Sequence, residues 1–212
     1  MTWDAPRDGA LPSADAGGHR GAVPFGPRSR GSRVVILPGL GGSGPDHWQS
    51  IWERAHPDAV RFEPASVDEP DLDDWIAAVD RAVETVSARP VLVAHSLGTI
   101  AATAWMALRP GRALAALLVA PPDPSRPDAP EVIRGFTRGP RVHASVPVTV
   151  IASRDDPYAA YGHAASVAAD LGAELVDAGE RGHLNADSGL GAWPGGLDLL
   201  ERLLGRAAGA AD

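Results

Sequence analysis

Val91-Leu92-Val93-Ala94-His95-Ser96-Leu97-Gly98 is an apolar run that passes through a small-x-Ser-x-Gly turn into a segment, 99–108, with the composition of a helix. An apolar run without polar alternation suits a strand covered on both faces. A sharp turn from such a strand into a helix strains the serine backbone and crowds the neighbouring chain, so the positions two before and two after it must be small. Ala94 and Gly98 meet that requirement. The commoner form has glycine at both places, and Ala94 departs from it by one methyl group. Strand, turn and helix together describe a nucleophile elbow, which presents the serine hydroxyl at the C-terminal end of the strand.

The sequence around the elbow alternates short β-branched runs with longer segments of helical period, the pattern of a parallel sheet with crossover helices. Strands are expected at 33–37, 60–63, 91–94, 114–120, 148–152 and 174–177. The clearest helix is 71–88, where Leu72, Trp75, Ile76, Val79, Val83 and Val86 recur at spacings of three and four and Asp71 can cap the start. Further helices are expected at 45–55, 99–108, 158–171 and 193–204. The span 121–147 is rich in proline, arginine and glycine with one short helical stretch, 130–136, which leaves room for a minimal cap only. The expected fold is a single α/β domain over 32–207, with a compact, mostly parallel sheet and helices on both faces. Residues 1–31, with many glycines and prolines and no apolar run, read as a disordered tail, and 208–212 as a flexible C-terminus.

Composition removes several kinds of chemistry. The net charge of −8 argues against a surface built to neutralise phosphates, so no nucleic-acid partner is expected. The chain has no cysteine, which excludes thiolate metal sites and a cysteine nucleophile. It also has no lysine, which excludes Schiff-base chemistry and serine–lysine dyads. No stretch approaches the roughly 20 apolar residues that span a membrane, and no secretory signal is evident, so a cytoplasmic protein with no membrane partner is expected. The histidines are scattered and no His-Glu-x-x-His occurs, so no metal is expected.

A serine hydroxyl becomes a useful nucleophile only when a base takes its proton, so the elbow requires a histidine and an orienting acid downstream. The strand 148–152 ends in Ser153-Arg154-Asp155-Asp156-Pro157-Tyr158, and the strand 174–177 leads into Ala178-Gly179-Glu180-Arg181-Gly182-His183-Leu184-Asn185. The order Ser96, Asp156, His183, each at the end of a strand, is that of a catalytic triad, with Asp156 preferred over Asp155. Each piece alone has an ordinary reading: a turn, a capped helix start, a solvated loop histidine. Their order and placement favour catalysis. An oxyanion hole needs two backbone donors, for which Leu97 and Leu40 are the candidates, the latter in Pro38-Gly39-Leu40-Gly41-Gly42-Ser43. That loop lacks the spacing and lysine of a nucleotide-phosphate loop, and no cofactor is expected. His47 and Trp48 are candidates to line the pocket, His47 alternatively to cap and pack its helix. His95 is read as packing, directed away from the nucleophile.

These residues resemble the small α/β-hydrolases of the retinoblastoma-binding protein 9 and YdeN type over about 33–204. The resemblance rests on Pro38-Gly39-Leu40-Gly41-Gly42, His47-Trp48-Gln49 with Trp52, His95-Ser96-Leu97-Gly98, Asp155-Asp156-Pro157-Tyr158 and Gly182-His183-Leu184-Asn185. It implies an α/β-hydrolase fold with almost no lid, serine esterase activity, and the second aspartate of Asp-Asp-Pro as the triad acid. The L-x-C-x-E motif tied to pocket-protein binding in the mammalian relative needs a cysteine, so that partner does not carry over. The reading that follows is cleavage of small carboxylic esters, a small-molecule acyl substrate, through an acyl-enzyme on Ser96. The alternatives are a serine peptidase or acyltransferase acting on small amides, and a non-catalytic binding protein that keeps the hydrolase fold.

Overall fold

The computed structural model describes residues 25–56, 58–138 and 143–209. Six strands make one sheet: β1 (Val34–Leu37), β2 (Ala59–Arg61), β3 (Val91–His95), β4 (Ala115–Val119), β5 (Val148–Ala152) and β6 (Glu174–Asp177). Their order is β2-β1-β3-β4-β5-β6 and every neighbouring pair is parallel. The chain first steps outward from β1 to β2 and then returns to the other side of β1 with β3. That reversal opens a crevice at the C-terminal ends of β1 and β3, where open α/β sheets bind their ligands.

The strands are buried throughout β1, β3, β4 and β5, and the parity of each strand residue decides which layer it joins. Val35, Leu37, Leu92, Ala94, Ala116 and Leu118 face α3 (Leu72–Glu84), α4 (Leu97–Leu108) and α5 (Tyr161–Leu171). Val34, Ile36, Val91, Val93, Leu117 and Val119 face α2 (Trp48–Ala55) and α6 (Pro194–Gly209). A strand covered on both faces has no polar side to show, which is why these runs do not alternate. Asp71 caps α3 by accepting from the Asp74 amide at 2.9 Å, and Trp75, Ile76, Val79 and Val83 form its buried stripe. In the span 121–147, residues Glu131–Arg138 form a 3-10 helix whose Ile133 and Phe136 are buried, with Phe136 edge-on to Trp75 of α3, so among the described residues the cap is one short element packed on the helices of that face. No helix among the described residues is long and apolar enough to cross a membrane.

Both expected ends need correction. The stretch from Phe25 onward is packed: α1 (Pro27–Gly31) docks on α6, where the Glu201 carboxylate accepts from the amides of Arg28 and Ser29 at 3.2 and 2.6 Å. Phe25 is buried against Trp52 and His56, and the His56 Nε2–H donates to the Ser29 carbonyl at 2.7 Å. The α1 amides that lack intrahelical acceptors thus find one on a helix more than 170 residues away, which no local signal announces. The rest of the expected tail, 1–24, lies outside the described residues. At the other end α6 continues to Gly209, two residues past the expected domain edge, and 210–212 lie outside the described residues.

Candidate active site

Ser96 sits between β3 and α4 with φ 52° and ψ −128°, a conformation that side-chain-bearing residues rarely adopt. Strain of this kind costs about 1–3 kcal/mol and persists only where surrounding bonds enforce it. Here the Ser96 amide donates to the Val119 carbonyl at 2.9 Å, and the Thr99 amide and hydroxyl both donate back to the Ser96 carbonyl at 2.9 and 2.7 Å. Gly98 shows why the turn demands small residues: a Cβ there would run into the carbonyl oxygens of Leu37 and Pro38. Gly39 is pressed as closely from the other side, since a Cβ on it would lie 2.6 Å from the Ser96 Cβ.

The structure brings Ser96, His183 and Asp156 into one hydrogen-bonded line. His183 Nε2 lies 2.8 Å from Ser96 Oγ, and His183 Nδ1 lies 3.0 and 2.9 Å from the two carboxylate oxygens of Asp156. A carboxylate only accepts, so Nδ1 carries the ring proton and Nε2 is the acceptor for the serine hydroxyl. The Asp156 side chain is 4% exposed, and the Tyr158 amide donates to its Oδ1 at 2.9 Å. Tyr158 also sets its ring edge-on to His183 at 4.5 Å.

The backbone of His183 is held on either side. Leu184 has φ 51°, and its carbonyl accepts from the Trp48 indole N–H at 2.8 Å. The carbonyl of His183 itself accepts from His95 Nε2 at 2.9 Å. His95 therefore does more than pack. Position 95 has the parity of Val91 and Val93, so it faces the layer that carries the histidine loop, and that parity was available in the sequence.

The two oxyanion candidates, Leu40 and Leu97, both line the cavity that holds Ser96. Leu97 is the first residue of α4, where an amide has no intrahelical acceptor. In the loop after β1 the Gly41 amide donates to Val67 and the Gly42 amide to Gly39, a turn that leaves the Leu40 amide uncommitted. Gln49, fully buried, braces this loop: its side-chain amide donates to the carbonyls of Leu37 and Val93 at 3.1 and 3.0 Å, while its oxygen accepts from Ser43 at 2.7 Å.

Ser96 opens onto a cavity of about 360 Å³ whose walls include Leu40, His47, His95, Pro122, Ile133 and Tyr158. His47 both lines it and caps α2, its Nδ1 accepting from the Gln49 amide at 3.1 Å. Trp48 does not line it. Its ring is 1% exposed, packed edge-on against Trp52 and Trp193, because its N–H is committed to Leu184 on the layer behind the site. Burial lowers the His47 imidazole to about 4, with Arg61 and His183 adding to the effect, and burial likewise drives His95 well below the ordinary histidine value. No Asp, Glu or Arg is among the described residues that line the cavity, and both of these imidazoles are neutral at pH 7. Among the described residues no cluster of His, Asp or Glu is placed to hold a metal ion.

The neutral imidazoles have a consequence for stability. A histidine whose folded pKa lies below its unfolded value binds its proton more readily in the unfolded chain, so stability is lost as pH falls from 6.5 toward 4. For His47 the gap between 6.5 and about 4 corresponds to at most about 3 kcal/mol. Urea unfolding at pH 7 and pH 4.5 should show this loss, and His47→Asn, which still caps α2 but does not titrate, should lose less. Equal losses in the two proteins would count against it.

A family model described as serine hydrolase matches residues 34–202 of this chain. Among solved structures, a YdeN-like hydrolase from Pectobacterium atrosepticum is 33% identical, covering 82% of this chain and 91% of that one with a TM-score of 0.74. The ydeN gene product of Bacillus subtilis is 25% identical over 82% of this chain and 99% of its own, with a TM-score of 0.72. Est1E from Butyrivibrio proteoclasticus, 13% identical over 81% and 88% of the two chains with a TM-score of 0.60, shares the fold. No significant match was found among curated proteins.

Proposed function

Since this chain belongs to the serine hydrolase family, and within the α/β-hydrolase fold is of the YdeN type, we propose that it cleaves small, uncharged carboxylic esters through an acyl-enzyme on Ser96. His183 serves as general base and Asp156 orients it. The observation that carries this reading is the unbroken line from Asp156 through His183 to Ser96, with contacts of 2.8 to 3.0 Å.

In the acylation step the Ser96 proton passes to His183 Nε2 while Oγ bonds to the ester carbonyl carbon. The carbonyl oxygen, now negative, is received by the Leu40 and Leu97 amides. Collapse breaks the bond to the alcohol oxygen, which takes the proton back from the imidazolium and leaves. A water then gives its proton to His183, its oxygen attacks the acyl carbon, and the acid departs as Ser96 regains the proton. Asp156 stabilises the imidazolium in both steps.

The wall of the cavity supports the substrate class. An ionised ligand would leave water for a wall that, among the described residues, holds no Asp, Glu or Arg, a desolvation cost that the lining does not offset. Ester hydrolysis is tested by a fluorophosphonate, which should modify the peptide containing residues 94–98 stoichiometrically, together with matched esters and aminoacyl amides. Preferential amide cleavage would favour a peptidase, transfer to an alcohol in place of water an acyltransferase, and a folded protein that resists the probe a binding protein.

Chain length is a second measurable. Among the described residues the cap is one 3-10 helix beside a cavity of about 360 Å³, so a long acyl chain would run into solvent and each further methylene would forgo the roughly 0.8 kcal/mol of full burial. The expected kcat/KM peaks at short acyl groups, about two to six carbons, with no jump above the solubility limit of the substrate. A steady rise through long-chain esters would show that the cap opens into an apolar channel.

A further inference from the structure

We propose that Asp155 is a positioning residue whose carboxylate, together with the Ser153 hydroxyl, straps the loop carrying His183 to the end of β5. The inference rests on His183 acting as the general base, and concerns what holds that base in place.

Two loops leave the sheet side by side, 153–158 after β5 and 178–185 after β6. Sheet pairing ends with the Ala178 amide on the Ala152 carbonyl at 2.8 Å, and the Arg154 amide adds one bond to the Gly179 carbonyl at 2.8 Å. Beyond Gly179 no strand geometry remains to align the second loop, yet His183 must stand within 2.8 Å of Ser96. The strap spans this gap. Asp155 Oδ1 accepts from the Gly182 amide at 2.7 Å and from the Ser153 hydroxyl at 2.6 Å, and Ser153 Oγ accepts from the Arg181 amide at 2.8 Å. Both amides immediately before His183 are therefore bound to the β5 loop.

Ser153 is 1% exposed, so its hydroxyl sits in a fixed place beneath the two loops. The hydroxyl and the Gly182 amide hold the Asp155 carboxyl below the ordinary carboxylate range, as expected for an acceptor of charge-assisted bonds. Gly182 has φ +56° and Leu184 φ 51°, so the base lies between two left-handed residues that the chain would leave if released. The Trp48 and His95 bonds hold the far side of the same residue. Asp155 and Asp156 thus divide the work. Asp156 faces the ring, and Asp155 holds the backbone that carries it.

Both bonds that Asp155 makes in the strap, from the Gly182 amide and the Ser153 hydroxyl, end on one oxygen, Oδ1. Asparagine keeps that oxygen and alanine does not, which separates acceptor geometry from charge. In Asp155→Ala, amide hydrogen exchange at 181 and 182 should quicken at least tenfold. Its kcat on 4-nitrophenyl acetate should fall about 10- to 100-fold with KM within about twofold. Asp155→Asn should restore slow exchange and bring kcat to within about threefold of the parent, with the acid limb of the kcat/KM profile unmoved. Unchanged exchange in Asp155→Ala overturns the strap. So does an Asp155→Asn protein as slow as the alanine variant with its acid limb shifted down, which would mean that charge acts on His183. Exchange reads the strap independently of hydrolysis: a response in exchange from a parent protein that cleaves no ester upholds the strap and overturns the proposed function.

Discussion

Ser96→Ala is expected to lower kcat/KM for a small ester by roughly ten-thousand- to million-fold, about 5–8 kcal/mol of transition-state stabilisation, and to abolish fluorophosphonate labelling. The loss is large because the serine, its base and the orienting acid act as a unit, and without the nucleophile His183 and Asp156 have no covalent step to assist. The residual rate would come from the Leu40 and Leu97 amides and from binding. The fold should survive. Alanine is no bulkier than serine, and the bonds that enforce the strained turn run through the backbone of residue 96 to Val119 and Thr99. Thermal unfolding beside the kinetics checks this. A variant keeping a tenth of the parent activity would mean that Ser96 is not the nucleophile.

Asp156→Asn should lower kcat by about ten-thousand-fold with little change in KM. The Tyr158 amide donates to Asp156 Oδ1 at 2.9 Å, and in the asparagine variant it would hold the amide oxygen at that position. The NH₂ group then occupies the place of Oδ2, 2.9 Å from His183 Nδ1. Nδ1 keeps an acceptor in Oδ1 at 3.0 Å but now meets a donor at 2.9 Å, and two donors repel, which shifts the ring toward the tautomer with its proton on Nε2. In that tautomer Nε2 can no longer accept from Ser96, although no atom has moved far. Asp155→Asn leaves the ring untouched and should stay within about threefold of the parent. Stopped-time assays on both purified variants decide the ranking, and the reverse order would give the orienting role to Asp155.

Between these two aspartates the sequence offered a preference, through the family pattern, and no physical discrimination. Both are acids at one strand end, both precede Pro157, and side-chain direction in a loop follows from contacts rather than from period. The strands and α3 were legible for the opposite reason. Strands covered on both faces must be apolar, and α3 must carry a stripe, so burial writes itself into the order of residues. Two helix starts moved: α2 begins at Trp48 because His47 caps it, and α5, which has no side-chain cap, begins at Tyr161, after the turn that presents Asp156 and Tyr158.

By itself the sequence determined the parallel α/β class, the elbow at Ser96, the order of serine, acid and histidine, and a cap no larger than 121–147 allows. Those features rest on short-range rules, namely periodicity, the small residues a tight turn needs, and the direction in which strands hand their ends to loops. Tertiary structure alone decided which aspartate meets His183, that Trp48 turns its back on the cavity, that His95 holds the histidine loop, and that the segment from Phe25 belongs to the core through Glu201. Each of these is a contact between residues far apart in the chain. A hydrogen bond across such a distance depends on where the packed sheet places two loops, and single-residue patterns do not encode it.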